Sequence, residues 1–345
     1  MSTVLSVIVA LLVLSLLVMI HELGHYTAGR LLGFGIVEFA IGMGPVLFKK
    51  TKNGIQYSIR LLPIGGMCRF VGEDENMPND PRSFNMQKVW KRIVVVVAGP
   101  VMNLLFAFLA AIVTLAAFGD FMPAVYQVNA DSPAYAAGVE IGDVITGIDG
   151  KKVMYFGQAT ELIQSADPDG FTLTVDRGGE TVLLQVGDAY NAETGKSVIG
   201  IGITTARMYF GFGETIGRSG AYITSTFTET MKFFGQLARG EVKRTDALGP
   251  AGIIVLISEA VRTNGESVMR LAMLISASLG IMNLLPIPAL DGGRLVFMII
   301  EVIRGKAIAP EKEGMVHFVG LILLFGLMIF LTYNDILNLP SIIGG

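Results

Sequence analysis

The chain has 345 residues, of which 52% are hydrophobic and only 16% charged, with a mean hydropathy of +0.60. Soluble domains carry charge on about a quarter of their residues, so this composition excludes an ordinary soluble protein and indicates a membrane protein. The formal net charge is −3 and there is a single cysteine, Cys68; no nucleic-acid partner is expected, no intrachain disulfide can form, and any extracytoplasmic domain must hold together by packing alone.

In chain order, four stretches carry no Asp, Glu, Lys or Arg: Met1 to Ile20, Ile93 to Gly119, Leu271 to Leu290 and Met315 to Asn334. Each reaches the roughly 20 helical residues that cross a hydrocarbon core. The first could be a cleaved signal peptide, but it lacks a basic leader and a small-residue cleavage site and runs straight into His21-Glu22-Leu23-Gly24-His25; it is read as a transmembrane helix over residues 1–33. Residues 34–91 form a cytosolic, membrane-associated β region and loop. Val46-Leu47-Phe48 and Ile55-Gln56-Tyr57-Ser58-Ile59 flank Asn53-Gly54 there, the signature of a hairpin, and Asp74 to Pro81 reads as a polar loop. Trp90-Lys91-Arg92 is an interfacial lead-in to a second span over 92–119. Residues 122–205 alternate like strands, with turns at Asp149-Gly150, Asp169-Gly170 and Gly178-Gly179, and are expected to form a separate domain. Residues 206–266 are an amphipathic and docking segment, 267–293 the third span, 294–313 a cytosolic segment, 314–336 the fourth span and 337–345 a tail.

Orientation follows from the basic residues. Residues 21–92 hold ten Lys and Arg against six acids, a net of 10 − 6 = +4, and residues 119–270 hold twelve against eighteen, a net of −6. Residues 291–314 add Arg294, Arg304, Lys306 and Lys312. The positive-inside rule then sets 21–92 and 291–314 in the cytosol and both termini and the middle domain outside.

His21-Glu22-Leu23-Gly24-His25 is the strongest chemical signal. Residues four apart share a helix face, so both imidazoles can reach one metal ion while Glu22 lies beside the open coordination position. Ionisable side chains at the end of an apolar helix are costly in lipid and mark function. A catalytic zinc site takes three protein ligands and one water, so a third ionisable residue at similar depth is required. Asp291 meets that condition, following Pro286 and Pro288, which cannot continue a regular helix; the alternative for Asp291 is a helix cap. His317, at the start of the fourth span, is the rival ligand, or else a structural histidine. Asn283 is placed either to donate to a developing oxyanion or to make an interhelical hydrogen bond. Cys68 reads as a small buried side chain rather than a ligand. An exposed strand such as Ile55 to Ile59 could pair with an unwound substrate segment.

The pentad at the end of the first span, together with Asn283-x-x-Pro286-x-Pro288-x-Leu290-Asp291-Gly292 at the end of the third, closely resembles the site-2 protease family of intramembrane zinc metalloproteases, of the bacterial regulator of sigma-E protease type. Ala98-Gly99-Pro100-x-x-Asn103 and Gly249-Pro250-Ala251-Gly252-Ile253 extend the likeness over nearly the whole chain. The resemblance implies Zn2+ held by His21, His25 and Asp291, with Glu22 as the catalytic residue and Asn283 as a substrate or transition-state contact. It also implies an endopeptidase that cuts single-span membrane proteins already shortened by another protease, such as anti-sigma factors, or remnant signal peptides. Asp131-Ser132-Pro133-Ala134-Tyr135-Ala136-Ala137-Gly138-Val139 with Gly142-Asp143-Val144-Ile145 and Ile148-Asp149-Gly150 resembles a PDZ domain, closed by Ile199-Gly200-Ile201, and occurs once. Such a domain either binds substrate ectodomains or excludes them sterically. The expected fold is a polytopic α-helical membrane protein of about four transmembrane helices, with a cytosolic membrane-associated β-hairpin region and an inserted α+β PDZ-like domain. The expected location is the bacterial inner membrane, active site toward the cytosol, with lipid and transmembrane substrates as partners.

Overall fold

Ser2 and Gly33 bound the first helix, α1 (Thr3–Leu32): the Ser2 hydroxyl accepts the Leu5 amide at 3.4 Å, and Gly33 turns the chain at φ +83°, where a residue without a β carbon is favoured. These features come from a computed structural model that describes residues 2–73, 80–167, 169–187, 189–191, 196–242 and 247–338. Most of the expected polar loop at 74–81 and most of the tail at 337–345 lie outside the described residues. Among the described residues, four helices are long and apolar enough to cross a membrane: α1, α2 (Val89–Phe118), α7 (Gly265–Leu284) and, from Glu311, α9 (Pro310–Leu337). The chain is a multi-pass membrane protein. Between these come α3 (Pro133–Ala136), α4 (Phe156–Ser165), α5 (Phe212–Arg239), α6 (Pro250–Thr263) and α8 (Asp291–Arg304).

The chain divides into two compact units, Met1–Ala110 with Ser225–Gly345, and Ala111–Thr224. In the first, a Cβ on Gly24 would stand 2.2 Å from the Ala98 carbonyl oxygen, so α1 and α2 touch backbone to backbone. Likewise Gly280 of α7 leaves room for the Pro100 carbonyl of α2. The third spanning helix ends at Leu284 because Pro286 and Pro288 interrupt the amide ladder, and Asp291 then opens α8. A side-chain cap from another helix also holds α6: Asp335 of α9, 1% exposed, accepts the amides of Gly249 and Gly252 at 3.0 and 2.8 Å.

Strands β1 (Ile36–Lys52) and β2 (Ile55–Phe70) meet at Asn53 and Gly54, whose φ values of +54° and +79° make the turn that the Asn-Gly pair predicts. The register corrects one expectation. Residues 56–59 pair with 38–41 and again with 48–51, so this stretch lies inside the sheet and offers no edge. Backbone bulges let β1 fold back across β2, which sequence alternation alone does not reveal. Among the described residues, 66–70 pairs on one side only, with 36–41, and 48–52 on one side only, with 55–59, so both are edges and 66–70 is the one on the side of Ile36 to Ile41. Buried Glu38 accepts from the Ser58 hydroxyl at 2.6 Å and the Arg60 guanidinium at 2.9 Å. Burial opposes its charge, but these bonds outweigh it and hold the carboxyl below the usual range. Farther along the ribbon Leu47, Phe48, Leu61 and Leu62 are exposed. At its base Phe34, Phe70 and Phe84 pack with Val95, Val96 and Met298.

The second unit holds an antiparallel sheet in the order β10-β3-β4-β6-β7, from β3 (Asp120–Val128), β4 (Val144–Ile148), β6 (Gly170–Arg177), β7 (Glu180–Gly187) and β10 (Ile201–Met208). β5 (Lys151–Lys152) pairs with β4, and β8 (Tyr190–Asn191) with β9 (Lys196–Ser197). Apolar residues of these strands, Met122, Val125, Ile145, Leu173, Val175 and Val186, form the core against Ala159 and Ile163 of α4. Arg218 of α5, 3% exposed, anchors that helix by donating to the carbonyls of Val153 and Met154 and stacking on Phe210 at 3.6 Å.

Asp143, 1% exposed, is gripped by Arg177 through bonds of 2.7 and 2.8 Å. Burial raises its pKa, but the Arg177 bonds and the Glu140 amide outweigh that and depress it below the carboxylate norm. The stabilisation is therefore complete above about pH 4 and fades as pH falls through the depressed value. Asp143→Asn in the full-length protein is expected to cost about 2 kcal/mol, read as faster hydrogen exchange at β4 and β6 amides at pH 7, with the difference from wild type shrinking in acid. An equal difference at pH 7 and pH 2.5 would show that the ion pair is not the cause.

Candidate metal centre

One turn of α1 presents His21, Glu22 and His25, and the first turn of α8 presents Asp291. Leu285 to Leu290 returns the chain so that the two turns meet. The His21 and His25 Nε2 atoms are 3.1 Å apart, and Asp291 Oδ2 lies 3.0 Å from the first and 3.4 Å from the second. Donors about 2.0–2.1 Å from a tetrahedral ion stand about 3.3 Å from one another, so this triangle has the size of three corners of a zinc site.

The protons agree with that fit. His25 Nδ1 donates to the Val95 carbonyl at 2.9 Å, which leaves a lone pair on its Nε2 pointing into the triangle. Asp291 Oδ2 is buried and receives no well-aligned hydrogen bond even though both imidazoles adjoin it. Two lone pairs and a carboxylate oxygen converging in an apolar surrounding are costly unless a cation joins them. The described His, Cys, Asp and Glu side chains form one such group, and it contains neither His317 nor Cys68.

Sequence reasoning missed the wall behind the imidazoles. A Cβ on Gly99 of α2 would stand 2.3 Å from His25 Nε2 and 3.0 Å from His21 Cε1, so only glycine lets α2 pass. The signal was present as Ala98-Gly99-Pro100 inside an apolar helix, but no local pattern says what a helical glycine faces. Val95, which orients His25 through its carbonyl, leaves no side-chain signature at all.

A cavity of about 290 Å³ opens beside the triangle, lined by Glu22, Cys68, Glu73, Asn283, Leu290 and Arg294 among others. The edge strand 66–70 forms one wall, and the Cys68 amide faces the Glu22 carboxylate. Burial, with the charges of Glu22 and Glu73, pushes the Cys68 thiol far above its usual range, so it stays protonated and a poor ligand. Glu73 joins two walls, accepting the Phe70 amide at 3.0 Å and pairing with Arg294 of α8. The Asn283 side chain donates to the Leu279 carbonyl of its own helix at 2.9 Å, not to another span, which leaves its second N–H for the cavity.

A three-donor metal cluster with a carboxylate beside it, two of the donors on a helix fit to span a bilayer and the third just after another, defines a membrane metallopeptidase. Comparison of sequences gives the family: residues 9–327 match Peptidase family M50, and the chain belongs to it. It is 32% identical over 361 residues to a protein of Agrobacterium fabrum named "Putative zinc metalloprotease", with 95% of each chain covered. Proteins of the same printed name in Clostridium acetobutylicum (33% over 335 residues; 96% of this chain, 97% of that one) and Clostridium perfringens (32% over 335 residues; 96% and 98%) are similarly close.

Gly99→Ala is expected to displace the imidazoles and weaken metal binding roughly tenfold or more, measured as metal retained per chain after dialysis against a weak chelator. Wild-type retention would mean that α2 yields and the contact is not restrictive.

Proposed function

We propose that the protein is a zinc endopeptidase of the bacterial inner membrane that cuts transmembrane segments of single-span proteins from the cytosolic side. The observation that carries this reading is the meeting of His21, His25 and Asp291 donor atoms within 3.0–3.4 Å beside Glu22. Zinc supplies polarisation of the scissile carbonyl and acidification of water there. Glu22 accepts a proton from the attacking water and returns it to the leaving amide nitrogen. The second N–H of Asn283 donates to the oxygen on which negative charge develops. The apolar wall behind the imidazoles keeps bulk water from competing for these bonds.

A transmembrane helix has its amides satisfied internally and must unwind before it can be cut. The free edge 66–70 replaces those lost bonds by taking the substrate as an added strand, with the scissile peptide beside Glu22. The exposed Leu47, Phe48, Leu61 and Leu62 of the same ribbon suit contact with lipid or with an apolar substrate. The sheet domain of residues 120–208 is read as PDZ-like, binding or excluding substrate ectodomains. Substrates shortened by a prior cleavage, such as anti-sigma factors, or remnant signal peptides fit a filter of that kind.

The direct test is the purified protein in detergent with a single-span test peptide. Cleavage should stop with a chelator and return with zinc. Glu22→Gln should lower kcat by about 10²–10⁴-fold with zinc retained, and Asn283→Ala by about 10²–10³-fold. Cleavage untouched by Glu22→Gln would contradict the mechanism. Strand addition is tested separately with extended peptide inhibitors N-methylated at alternate amides. One parity should bind roughly thirtyfold more weakly than the other, since about two hydrogen bonds of about 1 kcal/mol each are lost; equal binding would argue against pairing at 66–70.

A further inference from the structure

We infer that His317 is a positioning residue for Asp291: by accepting the Ala289 amide it fixes the turn from which Asp291 enters the metal centre. The inference rests on the reading of Asp291 as a ligand. His317 is the one histidine of this sequence outside the pentad, and it stands on α9, while the turn joins α7 to α8.

The turn is poorly supported by its own backbone. Pro286 and Pro288 have no amide to donate, and Ala289 sits at φ +75°, a left-handed conformation that costs a residue with a β carbon about 1 kcal/mol or more. Its internal bonds are few: the Ile287 amide to the Leu285 carbonyl at 2.7 Å, and the Leu290 amide to the Ile287 carbonyl at 3.2 Å. The Ala289 amide instead donates to His317 Nδ1 at 3.0 Å. That is an amide two residues before Asp291, held at the point of greatest backbone strain.

Other contacts fix the imidazole in turn. Its ring lies against Phe297 of α8 at 5.6 Å between centroids. Gly320, three residues on along α9, lets that helix press on the turn, since a Cβ there would stand 2.4 Å from Pro288 Cβ. The bond also sets the tautomer: Nδ1 accepts, so the proton sits on Nε2, which is buried with Glu313 Oε1 as its nearest acid at 3.9 Å. His317 thus has its one lone pair committed to the turn, and none for a metal. Gly292 and Gly293 complete the fit, because a Cβ on either would strike the Leu285 or Ile287 carbonyl.

The test separates hydrogen bonding from filling of space. In Asn the side-chain oxygen lies where Nδ1 does in His, whereas Gln of similar bulk carries its oxygen one bond farther out. Full-length zinc-loaded protein in detergent is challenged with 4-(2-pyridylazo)resorcinol, zinc release is timed, and the visible spectrum of the cobalt(II)-loaded form is recorded. His317→Asn should release zinc within about threefold of the wild-type rate and keep its cobalt spectrum. His317→Gln and His317→Leu should release zinc about tenfold faster or more, in the range of other groups that orient a ligand, with an altered spectrum. If His317→Leu does not fold, the Asn and Gln variants, matched for thermal unfolding, decide the matter. Wild-type release from His317→Gln, or equal release from the Asn and Gln variants, would overturn the inference. Asp291→Ala is run alongside: if it loses zinc while His317→Gln behaves as wild type, this inference alone fails, and if it keeps zinc, the ligand assignment beneath it fails.

Discussion

The structure turns on one requirement, that donors from residues 21–25 and residue 291 meet in a space only a few ångströms wide within apolar surroundings. Left without a cation, such a meeting costs several kcal/mol in desolvated polar groups. The fold can hold it only if the helices bearing the donors are fixed to well under an ångström. Much of the first unit serves that end. Gly24 and Gly99 bring α2 against α1 until the Val95 carbonyl can orient His25. Gly280 seats α7 against α2, and the double-proline turn then carries the chain from Leu284 back to Asp291.

What was legible in the sequence is what is local. The histidine pair is a four-residue spacing, the break after Leu284 is announced by two prolines, and the hairpin by Asn53-Gly54. Those patterns bring together every donor of the metal cluster and place Asn283 in the cavity, although the bond Asn283 makes runs to Leu279 in its own helix rather than across spans. What was illegible is what depends on a distant partner. Nothing in Gly99 states that it faces imidazoles, and nothing in Ala289 states that its amide is met 28 residues later by His317. The misplaced edge has the same origin: Ile55 to Ile59 reads as a strand, and it is one, but bulges fold β1 over it and leave the edges at 48–52 and 66–70.

That displacement gives the sheet a place in the chemistry. The strand that ends at Phe70 forms a wall of the cavity, presents the Cys68 amide to Glu22, and is tied at its end to α8 through Glu73 and Arg294. Ribbon and metal centre therefore line one cavity, so a segment paired with the edge would lie beside the donors without a further rearrangement. The sheet domain of the second unit is built on different terms. Its core is a conventional cluster of apolar side chains, and its buried charges, Asp143 and Arg218, serve its own architecture.

The central claim is the identity of the donors, and X-ray absorption at the zinc edge of the purified protein tests it most directly. The account predicts a first shell of nitrogen and oxygen at about 2.0–2.1 Å with the outer-shell scattering of two imidazoles. A sulfur shell near 2.3 Å, which would bring Cys68 into the site, or the signature of a third imidazole, which would bring in His317, would contradict it.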